Sequence, residues 1–358
     1  MEQTLHALRV MTAGESHGAA LVTIVEGLPA GIPIDLARVD DGLARRQRGY
    51  GRGRRMAIES DRAEVLAGLD DGHTTGGPVA IRISNRDWPN WQRSMAVTSE
   101  PPADATGVTR PTVRRPRPGH ADLAGVVKLG RHDIRDVLER ASARETAARV
   151  AAGGIAREVL RHAGVEIASF VAAVGGHAVE DAESITWAQI RSIPEDSPLS
   201  CPDTALEPRM VDAITRARDS GDTLGGAFVV VVVGTPPGLG AAMPWDRRLD
   251  GRLAQALMCI QSVKAVEVDS GSSGIENGLS TGDELRLTVW LKPISTLMNP
   301  LRSVDLDSFA SAPATIERSD VCVVPAGAVV GEAMTALVLA DAWVEHRGHG
   351  AAAEAAKS

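Results

Sequence analysis

Residues 142–160, SARETAARVAAGGIAREVL, decide how the rest of the chain is arranged. Ser142 and Glu145 stand at capping-box spacing, which predicts a helix opening at Ser142. Small residues lie on every side of it: Ala147, Ala148, Ala151, Ala152, Gly153 and Gly154. A surface helix carries one apolar stripe, whereas this one reads as buried nearly all round, with neighbours close to its axis. Arg140 and Arg144 flank its start, where free N–H groups and the helix dipole favour an anion. On these residues alone, two solvated arginines fit as well as an anion site.

Outward from this helix, strands read at 5–11, 19–26, 65–69 and 79–84 before it, and at 166–174, 227–233 and 285–291 after it. Helices read at 35–46, 207–220, 248–263 and 329–346. Residues 94–109 read as an exposed loop, and 175–208 as weakly patterned and peripheral. Elements of like kind come in pairs, which predicts an α+β fold with antiparallel sheets. No linker or charge block divides residues 1–347, so they read as one domain, with a disordered tail at 348–358.

Aromatic residues make up only 3% of the chain, so the core must be built from Ala, Val, Ile and Leu. A formal net charge of −8, with a single tyrosine and three phenylalanines for stacking, argues against a nucleic-acid partner. Lysine occurs only at Lys128, Lys264, Lys292 and Lys357 among 38 basic residues, so the cationic chemistry is guanidinium chemistry, suited to phosphate and carboxylate. Cys201, Cys259 and Cys322 lack metal-ligand spacing and read as reduced thiols in a cytoplasmic protein that holds no metal. The opening MEQTLHALRVMTAGESHG has no signal-peptide pattern, and the longest apolar run, 227–233, is far short of a membrane span.

Two arginine clusters stand out. RRQRGYGRGRRM, 45–56, holds six arginines and three glycines up to Arg55; the glycines let an anion approach the backbone, and no GK[ST] follows to make a P-loop. RPTVRRPRPGHAD, 110–122, is held extended by its prolines and turned sharply at Pro118-Gly119 into His120. Lys292 follows a mostly apolar strand, where an unpaired lysine is costly.

With TAGESHG (12–18), ERASARETAARVAAG (139–153), DTLGG (222–226), KPIST (292–296) and ERSDVC (317–322), these segments follow the order found in chorismate synthases, which the chain resembles from about residue 10 to 345. The resemblance implies a β-α-β sandwich, central helices between two antiparallel sheets, in a cytoplasmic homotetramer. It implies anti-1,4-elimination of phosphate from 5-enolpyruvylshikimate 3-phosphate to give chorismate, with reduced FMN and no net oxidation. NADPH or a separate flavin reductase would supply the reductant. By resemblance Arg46, Arg52, Arg55 and Arg117 hold the substrate, with Ser16, Arg144 and Arg318 alongside. His17 matches the residue that protonates the leaving phosphate, Asp320 the acid that assists at flavin N5, and His120 the histidine that settles the flavin's protonation state. FMN would lie against Arg140, Ala141 and Ser142, then Gln261, Ser262 and Asn277, then Lys292, Pro293, Ile294, Ser295 and Thr296, with Arg46, Arg52 and Arg318 shared between the two ligands.

The resemblance fails between Val268 and Gly282. Ala265 replaces the glycine of a usual Lys-Gly pair, Asn277 replaces the first glycine of a turn against the flavin, and Leu129 replaces a tyrosine. The long basic loop that covers flavin and substrate in the family is almost wholly missing. A short lid admits a second reading, a paralogue that binds a related phosphorylated cyclohexene acid with altered or lost catalysis.

Overall fold

The computed structural model describes residues 5–53, 58–268, 273–317 and 319–347. Two antiparallel sheets enclose a layer of helices. The first sheet has the order β1-β2-β6-β3, from β1 (Arg9–Ala13), β2 (Ala20–Glu26), β3 (Glu64–Ala67) and β6 (Val79–Ser84). A small hairpin, β4 (Leu69–Asp70) with β5 (His73–Thr74), connects β3 to β6. The second sheet runs β10-β13-β9-β7-β8, from β7 (Glu166–Val174), β8 (His177–Ala178), β9 (Gly226–Val233), β10 (Val263–Val268) and β13 (Leu285–Leu291). Between β10 and β13 lies the two-strand ladder β11 (Ile275–Glu276) with β12 (Leu279–Ser280), and a last hairpin pairs β14 (Arg302–Val304) with β15 (Ser311–Pro313).

Of the helices, α1 (Leu36–Gln47), α4 (Thr146–His162), α7 (Leu249–Met258) and α8 (Val324–Arg347) form the central layer. The others are α2 (Asp122–Leu129), α3 (Arg135–Ala141), α5 (Trp187–Arg191) and α6 (Glu207–Asp219). The first sheet packs on α4, the second on α8, and α4 crosses α8. At that crossing a Cβ on Gly153 would lie 2.4 Å from Ala333 Cβ and 2.6 Å from its Cα, so only glycine lets the axes come this close. The helix expected to be buried all round is so: twelve of its residues, from Thr146 to Leu160, are buried.

Helix α8 is buried from Val324 to Val344 and begins five residues before the expected start at 329. It is long and apolar enough by composition to cross a membrane, yet both sheets' cores close over it. Its Asp341 is fully buried and accepts backbone N–H groups of His6 (3.0 Å), Ala7 (2.8 Å) and Leu8 (2.6 Å) as well as Arg252 of α7, which ties the start of the described chain to the central layer.

Two expected features take a different form. Ser142 caps a short 3-10 turn, Ala143–Glu145, by accepting Arg144 N–H at 3.3 Å, and α4 proper begins at Thr146. Glu145 makes no capping box; its carboxylate is drawn instead to Thr12 Oγ1 (3.0 Å) and Arg149 (2.8 Å). The expected helix at 248–263 ends at Met258, because the chain must turn into β10. The tail at 348–358 lies outside the described residues.

Candidate active site

The 3-10 turn and the start of α4 open on a cavity of about 560 Å³ between the helix layer, the β10–β13 end of the second sheet and the arginine-bearing loops. Its floor is an ion cluster. Arg46, on the last turn of α1, and Arg144, on the 3-10 turn, both grip Asp61, at 2.7 Å and 2.6 Å. All three are buried, and Arg144 Nε also reaches Asn85 at 2.9 Å. Burial, only partly offset by Asp61 and reinforced by the neighbouring Arg144 and Arg52 charges, brings the Arg46 guanidinium down to about 10. Burial opposes the Asp61 charge too, but Arg46 and Arg144 outweigh it and hold the carboxyl below its ordinary value. Arg144 also lies 3.8 Å from buried Glu59, so two carboxylates hold the two guanidiniums in fixed positions at the cavity floor, where they can meet an anion. Arg52 stands beside it, paired at 2.7 Å with Asp320, whose other oxygen accepts Gly53 N–H at 2.6 Å.

His17 is fixed from three directions. Its Nδ1 donates to Glu139 (2.9 and 3.0 Å), and its own backbone N–H donates to the same carboxylate at 2.9 Å. Its ring stacks on Trp91, centroids 3.7 Å apart and planes within 19°. The Arg110 guanidinium lies 3.8 Å from the centre of the same indole. Burial disfavours the Glu139 charge, yet the bonds and charge from His17, with Arg135 added, hold its carboxyl below the usual range. With Nδ1 engaged, proton transfer at this histidine falls to Nε2.

His120 is delivered by the Pro118-Gly119 turn, Gly119 at φ +78°, and its Nδ1 lies 2.6 Å from Asp122. Arg117 grips the same carboxylate at 2.8 and 3.0 Å and reaches Thr296 Oγ1 at 2.8 Å. Burial opposes ionisation of Asp122, but the His120 and Arg117 bonds and charges win and hold it well below the carboxylate range. Lys292 is not unpaired: its Nζ donates to Gly119 O at 2.5 Å, so the β13 end and the histidine turn are tied together.

The lining brings together Ser16, His17, Arg46, Arg52, Arg117, His120, Arg144 and Asp320, and from the expected flavin positions Ala141, Ser142, Gln261, Ser262, Lys292, Ile294, Ser295 and Thr296. Three expected positions are elsewhere. Arg140, on the last turn of α3, does flank the start of α4, but its exposed guanidinium turns to Thr12 (3.1 and 3.2 Å) and Glu145 (3.8 Å) and does not line the cavity. Asn277 sits in the β11–β12 turn at φ +50°, bonded to Arg248 at 3.0 Å across the start of α7, so it answers to a turn and not to the cavity. Pro293 is passed over between lining neighbours. Arg55, Arg318 and the connection at 269–272 lie outside the described residues.

Sequence reasoning missed Trp91, Asp61 and Lys264, and gave no role to Arg110 and Glu139 within the segments it singled out. Lys264 falls at a β-bulge between Val263 and Ala265, a local irregularity that re-aims a side chain, and it lines the cavity. The carboxylates gave no signal because each works through a partner distant in sequence.

A family model described as chorismate synthase matches residues 8–273 and 270–344. The chorismate synthase of Desulforudis audaxviator is 50% identical over 370 aligned positions, covering 95% of this chain and 93% of that protein. That of Symbiobacterium thermophilum is 48% identical over 367 positions (93% of each), and that of Thermobifida fusca 45% over 381 (98% and 97%). A crystal structure of a chorismate synthase superposes with a TM-score of 0.75 at 34% identity, covering 99% of this chain and 96% of that one. An alignment of 370 positions exceeds the 358 residues of this chain, so the relative carries residues that this chain lacks.

Proposed function

The chain belongs to the chorismate synthase family, lyases of the shikimate pathway, and we propose that the cavity at the start of α4 is where it expels phosphate from 5-enolpyruvylshikimate 3-phosphate. The observation that carries this reading is the convergence of Arg46, Arg52, Arg117 and Arg144 on one cavity beside two carboxylate-held histidines. The substrate has two carboxylates and a phosphate, and forked guanidiniums suit all three.

Reduced FMN fits the same lining. Among the described residues Gln261 Oε1 and Arg46 Nε are buried without a hydrogen-bond partner, and the 292–296 segment offers Ser295 and Thr296 along the wall. Bound there, FMN supplies transient electron donation that the substrate alone cannot raise. The protein's own part is proton handling and charge. His17 Nε2 gives a proton to the departing phosphate while Glu139 keeps Nδ1 occupied. Asp61 holds Arg46 and Arg144 in place before the anion arrives, so little reorganisation is needed on binding. Asp320, held by Arg52 and Gly53 N–H, stands ready to relay a proton. His120 is kept in one orientation by Asp122. The reading also takes in a homotetramer in the cytoplasm, with the flavin reduced by NADPH or a separate reductase; sedimentation velocity and an NADPH-driven assay test those two parts.

The deciding experiment is an anaerobic assay with chemically reduced FMN and the substrate, following chorismate and phosphate together. Equal yields, abolished in His17→Ala and Asp320→Asn, are expected. Binding of FMN and substrate with no chorismate would transfer the site to a related phosphorylated cyclohexene acid.

A further inference from the structure

A second cavity, of about 390 Å³, lies between α1, α4, α8, β7 and the segment that carries α5, toward the other edge of the second sheet from β10 and β13. No step of the reaction uses it. Its lining charges are six guanidiniums against four carboxylates, in a chain whose net charge is −8. The pairing inside shows the excess. Fully buried Glu332 is shared by Arg45 (2.8 Å) and Arg157 (2.6 Å), and Glu158 by Arg161 and by Arg38 (3.6 Å), which also pairs with exposed Asp35 at 3.3 Å. Each inner carboxylate thus has two guanidiniums on it. At the rim, the Arg48 and Arg191 guanidiniums have no hydrogen-bond or ion-pair partner among the described residues, while exposed Asp41 and Glu195 reduce the excess without cancelling it.

The walls are fixed. Glu332 also accepts Ser169 Oγ at 2.6 Å, and Arg157 donates to Ile167 O at 2.7 Å, so the Arg45 and Arg157 guanidiniums are held against the core. A rigid pocket with surplus bidentate donors, two of them unengaged at its mouth, suits a small molecule with more than one acidic group.

We propose that this cavity is a second binding site, separate from the reaction cavity, for a metabolite-sized polyanion bearing two or more phosphate or carboxylate groups. The site does not rest on the reading of the reaction cavity. Arg45 and Arg46, neighbours on the last turn of α1, face the two cavities respectively, so the two sites are distinct yet share an element.

The test is calorimetric titration of the full chain with pyrophosphate and, separately, with citrate, which distinguishes phosphate from carboxylate preference. The variant Arg48→Ala/Arg191→Ala removes two rim cations, and circular dichroism checks that it is folded. Wild type is expected to show two classes of anion site, and the double variant one, with the lost class weakened at least about tenfold. A single wild-type class that vanishes in the double variant would uphold the second site while counting against anion binding in the reaction cavity. Stoichiometry and affinity unchanged in the double variant for both probes would overturn the proposal.

Discussion

Glu139 never touches the volume in which a substrate would sit, yet it determines how His17 presents itself. It receives Nδ1 and the backbone N–H of the same residue, so ring and main chain are pinned by one carboxylate. Glu139→Gln should leave substrate affinity nearly unchanged and lower kcat by about 10- to 100-fold, because the amide can no longer fix the proton on Nδ1; steady-state kinetics would separate the two. Glu332 gives a pH-dependent prediction. Burial disfavours its charge, but Arg45 and Arg157 overcome that and bring the carboxyl from its ordinary 4.5 to about 2. A carboxyl depressed in the folded state contributes stability that is complete above pH 4.5 and is lost as pH falls toward 2. Urea midpoints of wild type should therefore fall across that window, while Glu332→Gln, already about 3–5 kcal/mol less stable at pH 7, should show a shallower fall. At this scale the sequence disclosed the cations better than their counter-ions. Clustered arginines announce themselves locally, whereas Asp61, Glu139 and Trp91 gain their place in the site from partners that folding brings from far off: Arg144 meets Asp61 across 83 residues, and His17 meets Trp91 across 74 and Glu139 across 122.

At the scale of elements, the strands at Val79–Ser84, Glu166–Val174 and Leu285–Leu291 were legible to the residue, because β-branched runs bounded by turn formers leave little choice. Helices α2 and α3 were not. Each spans only about two turns with no cap side-chain bond, and their separation at Gly130, φ +60°, leaves no long period to read. The resemblance carried Arg140 and Asn277 to positions that local geometry takes away: one is the end of α3, the other a left-handed turn residue. The α4–α8 crossing makes its own prediction. In Gly153→Ala the new methyl meets the Ala333 backbone at 2.6–2.7 Å, so the helices must part. A loss of about 1–3 kcal/mol is expected from chemical denaturation, against the usual gain for replacing a helical glycine by alanine.

Over the whole molecule, one apolar cluster runs from Leu5 to Val344 and takes in both sheets and all four central helices. We propose that the described chain unfolds as a unit: calorimetry should give one transition whose van't Hoff and calorimetric enthalpies agree, and two resolved transitions would divide it. The buried helix α8 carries a further consequence for biosynthesis. Every strand of both sheets precedes it in the chain, so during translation the second sheet can complete its hydrogen bonds while the face meant for α8, with Phe228, Val230 and Leu291, still lies bare. A nascent chain in that condition offers an apolar surface to chaperones and to other unfinished copies until its long buried helix arrives to cover it.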